Sequence, residues 1–591
     1  MKFSTFSDYL KRIEHTSSRN EMTEILAALL KETSVEEIDQ VVYLALGNLG
    51  PPYNRVEFGL SDKLMFKVIA TAVGLPEDEV KEEYKKVGDL GEVVFEKLKV
   101  KNEKLKVDLS VGEVFMKLKE IAEVAGQGSQ EKKIHDLAEL FSQTDRLSAK
   151  YITRIPLGKL RLGFSDVTIL DALSWMLTGD KSLRKELERG FNVSADIGRI
   201  AGLVKKRGID GIKEVQVEVG VPIRPAAAER LPTAETIIEK LGRVGAEPKI
   251  DGFRLQCHFK KRIQDIGHRT QSNAGTMVKL FSRNLEDMSE MFPEIVEAVR
   301  SLRVESIIFE GEAVAYNPAT DEFLPFQETV QRRRKYDVEK KAAETPLKLF
   351  GFDLLYLNGE NYLDRLYRER RKKLASVIGN RSDTLRVVEE AEYADPEALS
   401  EFFLEQIENG LEGIMAKRLD APYAAGARNF NWVKLKREDK GELDDTIDCV
   451  VMGYKAGMGK RANFGIGAFL VGVYDEDEDV FKTISKVGTG LTDDQWREMR
   501  VRADALSVKS KPARYDVPKE LEQDVWIRPA MVVEILADEI TRSPLHTAGR
   551  KVEPGYALRF PRLIQWRDDK EPEQATTVKE IKTLFNQQKS R

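Results

Sequence analysis

The chain has 591 residues and a formal net charge of −5, and 33% of its residues are charged while 41% are hydrophobic. This length exceeds what a single hydrophobic core usually supports, so we expect about two to four domains of soluble globular composition. Two cysteines, Cys257 and Cys449, cannot form a disulfide framework or a four-cysteine zinc site.

No stretch of the sequence matches a membrane span, which needs ~18 apolar residues, and the first residues lack a signal-peptide core. We therefore expect a cytoplasmic protein without a membrane partner. The abundance of Lys, Glu and Arg with little Cys is compatible with a thermophilic source. Because the net charge is negative, binding to a nucleic acid would depend on local basic surfaces.

The first part of the chain, to about residue 215, is predicted to be helical, since apolar residues such as Leu26 and Leu30 recur at helical spacing. Ser34 followed by Glu37 predicts a capping box at the start of a helix.

The segment 150–163 differs from its surroundings because cations, among them Lys159 and Arg161, punctuate an apolar turn that contains glycines. Glycines let a backbone approach a phosphate closely, and neighbouring cations neutralise its charge. The alternative is a solvated loop between two helices.

Val221-Pro222-Ile223-Arg224-Pro225 interrupts the helical pattern and indicates a domain boundary. Short strands then alternate with helices to about Arg437, and strands separated by glycines follow Asp445 before a final helix from about Glu571. The glycine-rich part is typical of a small barrel of the oligonucleotide-binding kind. The predicted fold is multidomain: an all-α domain at 1–218, an α+β domain at 219–438, and a β-barrel domain with a C-terminal helix at 439–591.

Lys249 is the strongest candidate for a reactive residue. It lies in the run KIDGFR (249–254), and from Phe253 to Phe259 apolar and polar residues alternate as in a half-buried strand. A lysine next to a strand is held rigidly enough to serve as a covalent nucleophile. The run is equally compatible with an ordinary surface turn.

Three more strands of the middle domain carry charges in pairs: the glutamates of EGE (310–312), Glu412 and Lys417 in EGIMAK, and Lys434 and Lys436 in WVKLK. Each alone is compatible with an ordinary amphipathic strand. Together they supply the carboxylates that hold a divalent cation and the cations that stabilise phosphate in a nucleotidyl-transfer pocket.

The same pocket bears on the protonation of Lys249. An unperturbed lysine is protonated near neutral pH and cannot attack phosphorus. Nearby cations such as Lys434 and Lys436, a bound metal ion and desolvation all disfavour the charged form of the amine.

In order, the runs KIDGFR, FSRN, EGE, FDLLYLNG, EGIMAK, WVKLK and RDDK resemble the motifs of ATP-dependent DNA ligases, within the covalent nucleotidyltransferase superfamily. The layout is most similar to the archaeal replicative ligases, which resemble eukaryotic DNA ligase I. The resemblance spans nearly the whole chain. It implies a helical DNA-binding domain, an adenylation domain and an oligonucleotide-binding (OB-fold) domain that close around nicked duplex DNA.

The resemblance assigns roles around the nucleotide. It implies that Lys249 is the adenylated nucleophile, that Glu247 accepts a hydrogen bond from the adenine amino group, and that Phe352 stacks on the adenine ring. Arg254 and Arg283 would contact the sugar and the phosphates at the nick.

Further roles concern the phosphates and the metal. Glu312 and Glu412 would serve the ribose and a catalytic Mg²⁺ or Mn²⁺ ion. Lys434 and Lys436 would hold the α-phosphate of ATP.

The remaining roles involve the two ends of the chain. Arg567 and Lys570 belong to the last motif, which in this family orients the leaving pyrophosphate. Lys159 and Arg161 would contact the minor groove of DNA.

Two positions depart from the family. Pro248 precedes the lysine where many relatives have a bulky residue, and proline stiffens the backbone there. Archaeal relatives often carry a glutamine-and-aromatic box near residue 100 that docks on a sliding clamp, but 99–105 has no aromatic pair. A sliding-clamp partner would therefore need another surface.

The expected reaction has three steps. Lys249 attacks the α-phosphate of ATP, AMP passes to the 5′-phosphate at a nick, and the 3′-hydroxyl attacks that phosphate and releases AMP. A motif near the C-terminus that serves a pocket in the middle domain implies domain closure. The basic turn 455–461 would meet the DNA backbone in the closed form, or is simply a solvated hairpin.

Related classes of protein fit the sequence less well. An mRNA capping guanylyltransferase or an RNA ligase would lack the long helical domain before Lys249, and an NAD-dependent ligase usually has a cysteine zinc site. A non-catalytic DNA-binding scaffold would have lost the lysine or the carboxylates. The expected protein is a monomeric DNA ligase of replication, repair and recombination.

Overall fold

The computed structural model describes residues 1–98, 109–261, 276–317, 323–324, 326–334, 336–379, 382–409, 411–436, 446–457, 464–488, 491–559 and 561–589. The chain forms two compact units, Met1–Arg437 and Glu438–Arg591. Among the described residues no helix combines the length and apolarity needed to cross a membrane.

The first half of the first unit is helical, as predicted. Polar side chains at helix starts accept hydrogen bonds from the first backbone N–H groups, for example Ser18, Ser61 and Asp89. The apolar faces of the helices share one core. The helices are α1 (Phe3–Glu14), α2 (Arg19–Glu32), α3 (Ile38–Ala45), α4 (Asp62–Val73), α5 (Glu77–Val87), α6 (Leu90–Lys97), α7 (Val111–Glu123), α8 (Ser129–Ser142), α9 (Arg146–Arg154), α10 (Asp166–Thr178), α11 (Arg184–Val193), α12 (Ile197–Arg207) and α13 (Asp210–Lys213).

The capping box predicted at Ser34 is wrong. Helix α3 has Glu37 itself as its N-cap, and the side chain of Glu37 makes no capping hydrogen bond. That carboxylate instead binds the amino group of Met1. A long-range partner has thus taken the side chain that the local pattern assigned to the helix start.

The basic segment 150–163 is only partly a turn. Its first residues complete α9, where Lys150 and Arg154 are buried at 6% and 2% exposure. Lys150 pairs with Glu14 and Glu92, and Arg154 pairs with Asp89. These two cations therefore neutralise acids inside the helical region, and they are not free to bind phosphate.

The second half of the first unit alternates strands and helices and holds two sheets. One sheet has the strand order β1-β11-β10-β2-β9, and the other has the order β4-β3-β5-β6-β7 with β8 beside β6. The elements are β1 (Ala227–Arg230), α14 (Ala234–Leu241), β2 (Val244–Pro248), β3 (Phe253–Lys260), β4 (Met277–Ser282), α15 (Pro293–Arg300), β5 (Ser306–Ala315), α16 (Phe326–Val330), α17 (Val338–Glu344), β6 (Leu347–Leu357), β7 (Glu360–Asn361), α18 (Tyr367–Ile378), β8 (Leu385–Val387), β9 (Ala391–Tyr393), α19 (Pro396–Glu408), β10 (Gly413–Arg418) and β11 (Arg428–Lys436).

The prediction that β3 is half-buried is wrong, because its polar face is buried as well. Gln256 and His258 are 3% and 0% exposed. The extended segment before β1 covers them: Gln256 exchanges hydrogen bonds of 2.8 and 2.9 Å with the backbone of Ile223, and the Gly220 N–H donates to His258 Nδ1 at 3.0 Å. Polar side chains tolerate burial when such hydrogen bonds are made.

The second unit is rich in strands, as predicted, and a helix closes it. Its main sheet has the order β15-β17-β12-β13-β14-β16, with β18 joining β12 to β21, and β19 pairs with β20. The elements are β12 (Ile447–Lys455), β13 (Ala468–Asp475), β14 (Val480–Val487), α20 (Asp493–Ala505), β15 (Ser507–Val508), β16 (Tyr515–Asp516), β17 (Val525–Ile527), β18 (Val532–Leu536), β19 (Glu539–Ser543), β20 (Gly555–Arg559), β21 (Arg562–Trp566) and α21 (Val578–Lys589).

Two of the glycines that were expected to separate the strands after Asp445 lie inside strands instead. Gly453 in β12 and Gly472 in β13 sit at irregularities of the strand register. A Cβ at Gly453 would lie 2.6 Å from the carbonyl oxygen of Val525, so only glycine leaves room for the neighbouring strand.

Candidate active site

A cavity of about 470 Å³ lies in the first unit, between strands of its two sheets. It brings together most of the residues that the motifs single out. The predicted site residues that line it are Glu247, Lys249, Arg254, Arg283, Glu312, Phe352, Glu412, Lys434 and Lys436.

The loop that carries Lys249 is held tightly between β2 and β3. The backbone N–H of Lys249 donates to the carbonyl of Gly413 at 2.8 Å, which ties the loop to the start of β10. A Cβ at Gly252 would lie 2.3 Å from the carbonyl oxygen of Ala313, so the glycine of the run allows β5 to approach. The Lys249 side chain is 21% exposed and faces the cavity, unlike that of an ordinary surface turn.

Glu412 links the lysines at one end of the cavity. Its carboxylate contacts the side-chain nitrogen of Lys249 and lies 3.0 Å from Nζ of Lys436. Burial alone would raise the pKa of Glu412, but the charges of Lys249 and Lys436 outweigh it and the pKa is lowered. Glu412 is therefore an anion between two cations.

Lys434 extends this positive end of the cavity. Lys434 and Lys436 alternate along β11 with the buried Val433 and Leu435, as the sequence pattern predicted. Burial, followed by the charges of Lys436 and Lys249, lowers the pKa of Lys434. Cations that repel one another in a cavity favour an anionic ligand.

The two glutamates of β5 have different partners. Glu310 is 1% exposed, and its Oε2 accepts from Arg254 Nη2 and from the Tyr423 hydroxyl, both at 2.8 Å. Only Glu312 lines the cavity. Burial raises the pKa of Glu312 to about 7, against the opposing charges of Lys249 and Arg254. Glu310 thus orients Arg254, which also donates to the carbonyl of Ala226 at 2.6 Å.

Aromatic rings form one wall. Phe352 meets Trp432 edge to face, with ring centroids 5.9 Å apart, and both rings line the cavity. Nζ of Lys417 lies 4.8 Å from each ring centroid. Trp432 shares the face of β11 that carries Lys434 and Lys436, so the period of the strand could have predicted its place in the cavity.

Glu247 sits in a buried polar cluster at the edge of the cavity. It is 3% exposed, pairs with Nζ of Lys417 at 2.7 Å, and accepts from the Tyr367 hydroxyl at 2.7 Å. The sequence pointed to Lys417 as a charged member of its strand, but carried no signal for Tyr367.

The carboxylates bear on metal binding. Among the described residues there is no group of three or more His, Cys, Asp or Glu side chains that could hold an ion. Mg²⁺, however, often takes one or two carboxylates and completes its shell with water and substrate phosphates. Glu312 and Glu412 line the same cavity and fit that pattern, and a cation would offset the cost of ionising the buried Glu312.

Lys159 and Arg161 lie in the helical region, and both have internal partners. Nζ of Lys159 is 2.9 Å from Asp62, and Arg161 lies 3.1 Å from Asp89 and donates to the carbonyl of Gly88. A DNA phosphate would have to compete with these acids.

Arg567 and Lys570 lie in the second unit just after β21. Both bind Asp448, at 3.1 and 2.6 Å, and Arg567 also pairs with Asp569. Lys455 binds Asp524 at 3.0 Å. The rest of the basic turn from residue 458, and the segment 99–105 considered for clamp docking, lie outside the described residues.

Family models match along the chain at residues 2–174, 225–436 and 462–570. They are described, in that order, as DNA ligase N terminus, ATP dependent DNA ligase domain, and ATP dependent DNA ligase C terminal region. The chain belongs to the ATP-dependent DNA ligase family.

Relatives match this ligase over its full length. A protein named probable DNA ligase from Dictyoglomus turgidum is 48% identical over 100% of this chain and 98% of its own. The DNA ligase of Sulfolobus acidocaldarius is 38% identical over 99% and 98%. The solved structure named Pmar-Lig_PreS3 has a TM-score of 0.55 over 95% of this chain and 99% of its own, and at 16% identity it supports the fold alone.

Family membership confirms the predicted activity. The enzyme is an ATP-dependent DNA ligase, and its family acts on nicked DNA in replication and repair. The ligase comprises a helical N-terminal region, a nucleotidyltransferase-like domain and a C-terminal sheet domain. The capping enzyme, the RNA ligase, the NAD-dependent ligase and the non-catalytic scaffold are thereby set aside.

Proposed function

We propose that this ligase seals nicks through a lysyl-AMP intermediate on Lys249 and then a DNA-adenylate. One observation carries the proposal: the Lys249 side chain shares one end of a cavity with Glu412, Lys434 and Lys436. A nucleophile, a carboxylate and two cations are what an attack on a phosphate ester requires.

The first step follows from these contacts. Lys249 must lose its proton to solvent before it attacks, and Glu412, whose carboxylate is in contact with it, would position the amine. The neutral amine forms a nitrogen–phosphorus bond to the α-phosphate while the bond to pyrophosphate breaks. Lys434 and Lys436 would stabilise the charge on the phosphate oxygens. A divalent cation, Mg²⁺ or Mn²⁺, would be held by Glu312 and Glu412 and would supply further charge neutralisation when bound.

The other predicted residues have proposed roles in binding. Phe352 would stack on adenine, Glu247 would accept from its amino group, and Arg254 and Arg283 would contact the ribose and the DNA end. All of these side chains line one cavity, and this supports the assignments.

Residues of the outer domains complete the proposal. Arg567 and Lys570 would orient pyrophosphate. To do so, they would have to release Asp448, with which both are paired in the structure. Lys159 and Arg161 would contact the minor groove after leaving Asp62 and Asp89.

Several finer features remain part of the proposal. These are domain limits at 1–218, 219–438 and 439–591, an OB-fold in the last domain, a monomeric enzyme, a cytoplasmic location, and a sliding-clamp contact outside segment 99–105. The strand-rich second unit supports the OB-fold, since this fold is a small barrel of short strands.

The test is covalent labelling with α-labelled ATP. Wild-type protein should retain label after denaturation and seal a nicked duplex, and K249A should do neither. K434R, which keeps a cation at the cavity, should still label. Retention of label by K249A would refute the lysyl-AMP assignment.

A further inference from the structure

A buried cluster behind Glu247 is not used by the steps above. Tyr367 begins α18 and is 1% exposed, and Glu390 lies between β8 and β9. Lys417 of β10 is 1% exposed, and Arg371 of α18 completes the cluster with its side chain 11% exposed. Two carboxyls, two cations and a phenol thus share a nearly dry space next to the adenine end of the cavity.

The hydrogen bonds of the cluster require a count of protons. The Tyr367 hydroxyl oxygen is 2.7 Å from Oε1 of Glu247 and also contacts Oε2 of Glu390. A phenol has one proton and can donate to only one carboxylate. Two oxygen–oxygen hydrogen bonds need two protons, so one of the two glutamates must be in its acid form.

The cations indicate which glutamate holds the proton. Lys417 Nζ lies 2.7 Å from Oε2 of Glu247, so Glu247 is held as the carboxylate. Arg371 Nε is 3.4 Å from Glu390 and 3.8 Å from Glu247, and it stands near both. Burial and then the negative charge of Glu247 raise the pKa of Glu390. Tyr367, Arg371 and Lys417 act in the opposite direction but do not outweigh them.

The backbone leaves room for this arrangement. Gly245 lies in β2, two residues before Glu247. A Cβ at Gly245 would be 3.1 Å from Oε2 of Glu390 and 3.2 Å from a ring carbon of Tyr367. A side chain there would displace both groups, so the glycine of β2 allows Glu390 and Tyr367 to reach Glu247.

We propose that Tyr367 and Glu390 are positioning residues for purine selection: Glu390 as the acid donates to Tyr367, Tyr367 donates to Glu247, and Glu247 is left as a pure acceptor. This inference rests on the proposed contact of Glu247 with adenine. Adenine presents an amino donor where guanine presents the O6 acceptor. An ionised Glu247 accepts from adenine and repels guanine, whereas a protonated Glu247 would donate to guanine.

The test compares self-adenylation with self-guanylation. For wild type, Y367F, E390A and E390Q, kcat and KM are measured with α-labelled ATP and α-labelled GTP in the full chain. We expect Y367F and E390A to lower the ratio of the two kcat/KM values by about tenfold or more, mainly through KM for ATP. Y367F removes the hydrogen-bond donor to Glu247, and E390A removes the group that fixes the orientation of the Tyr367 hydroxyl. The ratio compares two substrates on one sample, so a loss of folded protein cancels.

E390Q distinguishes a proton-donating role from a merely structural one. The glutamine amide is a permanent donor of nearly the same shape, so it should restore most of the discrimination that E390A loses. In wild type the discrimination should decline as rising pH removes the proton from Glu390, and in E390Q this decline should be absent.

Each failure has its own meaning. The inference would be overturned if wild type and Y367F had equal ATP-to-GTP ratios of kcat/KM, or if E390Q discriminated as weakly as E390A. Neither result would affect the labelling of Lys249. Labelling of K249A would overturn the proposed function itself.

Discussion

The carboxylate of Glu412 is in direct contact with the side-chain nitrogen of Lys249, and the same carboxylate lies 3.0 Å from Nζ of Lys436. One anion therefore positions both the proposed nucleophile and a proposed phosphate ligand. Glu412 directly precedes β10, and the carbonyl of Gly413, the first residue of that strand, accepts from the Lys249 N–H. The loop and the side chain of Lys249 are thus held by adjacent residues.

The contact predicts the effect of E412Q. A neutral amide cannot hold two ammonium groups or a divalent cation, so lysyl-AMP formation should slow by about a hundredfold or more. Single-turnover labelling with ATP measures the rate. E397Q, at an exposed glutamate in the first turn of α19, is the matched control and should label normally. A rate for E412Q within threefold of wild type would contradict the role.

The raised pKa of Glu312 predicts a pH dependence of stability. In the folded protein without metal, Glu312 holds its proton up to about pH 7, while in the unfolded chain it ionises near its ordinary value. The folded state binds the extra proton, so the contribution of Glu312 to stability should fall as pH rises from about 4.5 to 7 and then level off.

E312Q removes this titration. The Tm of E312Q minus the Tm of wild type should therefore grow from about pH 4.5 to 7. Above that range the difference should stay constant. Thermal unfolding without divalent cations at several pH values measures this difference. For the control E397Q the difference in Tm from wild type should not change with pH. A constant difference across the whole range would show that Glu312 ionises normally.

The aromatic wall predicts the effect of F352A. Loss of the ring removes a stacking surface, which contributes about 1–3 kcal/mol per base in nucleic-acid complexes. KM for ATP in self-adenylation should rise by about tenfold or more, and the rate at saturating ATP should change less. F352Y keeps the ring and serves as the control. An unchanged KM in F352A would place the base elsewhere.

The backbone at Gly413 predicts a loss of stability. Its φ is +139°, and a Cβ there would lie 2.2 Å from the carbonyl oxygen of Leu435. G413A should therefore lower the Tm and the rate of labelling, because β10 and β11 must separate. G202A in α12, where a Cβ would meet nothing within 4 Å, should instead raise the stability by about 0.5–1 kcal/mol. Equal effects of the two substitutions would refute the steric argument.

Much of this enzyme was predictable because its motifs are local. Lys249 precedes a strand and Lys434 alternates with buried residues along β11, since the period of a strand is read from neighbouring residues. The helical region and the strand-rich C-terminal part followed from the same periodicity.

What local pattern could not determine depends on contacts between distant residues. The strand pattern does not distinguish Glu310 from Glu312. In the structure Arg254, 56 residues away in the chain, pairs with Glu310, and Glu312 lines the cavity. Gln256 and His258 were expected in solvent, but the segment before β1 buries them. Ion pairs and burial of this kind depend on packing, which periodicity does not contain.

By itself the sequence determined the family, the order of the strands that carry charge, and the identity of the nucleophile candidate. Only the tertiary structure decided which charged groups are paired internally and which face the ligand cavity. Tyr367 of α18 donates to Glu247 from 120 residues away, and Lys417 pairs with Glu247 from the neighbouring strand β10. A buried charge must find a partner wherever the fold provides one, and that choice is made by the packing of whole sheets.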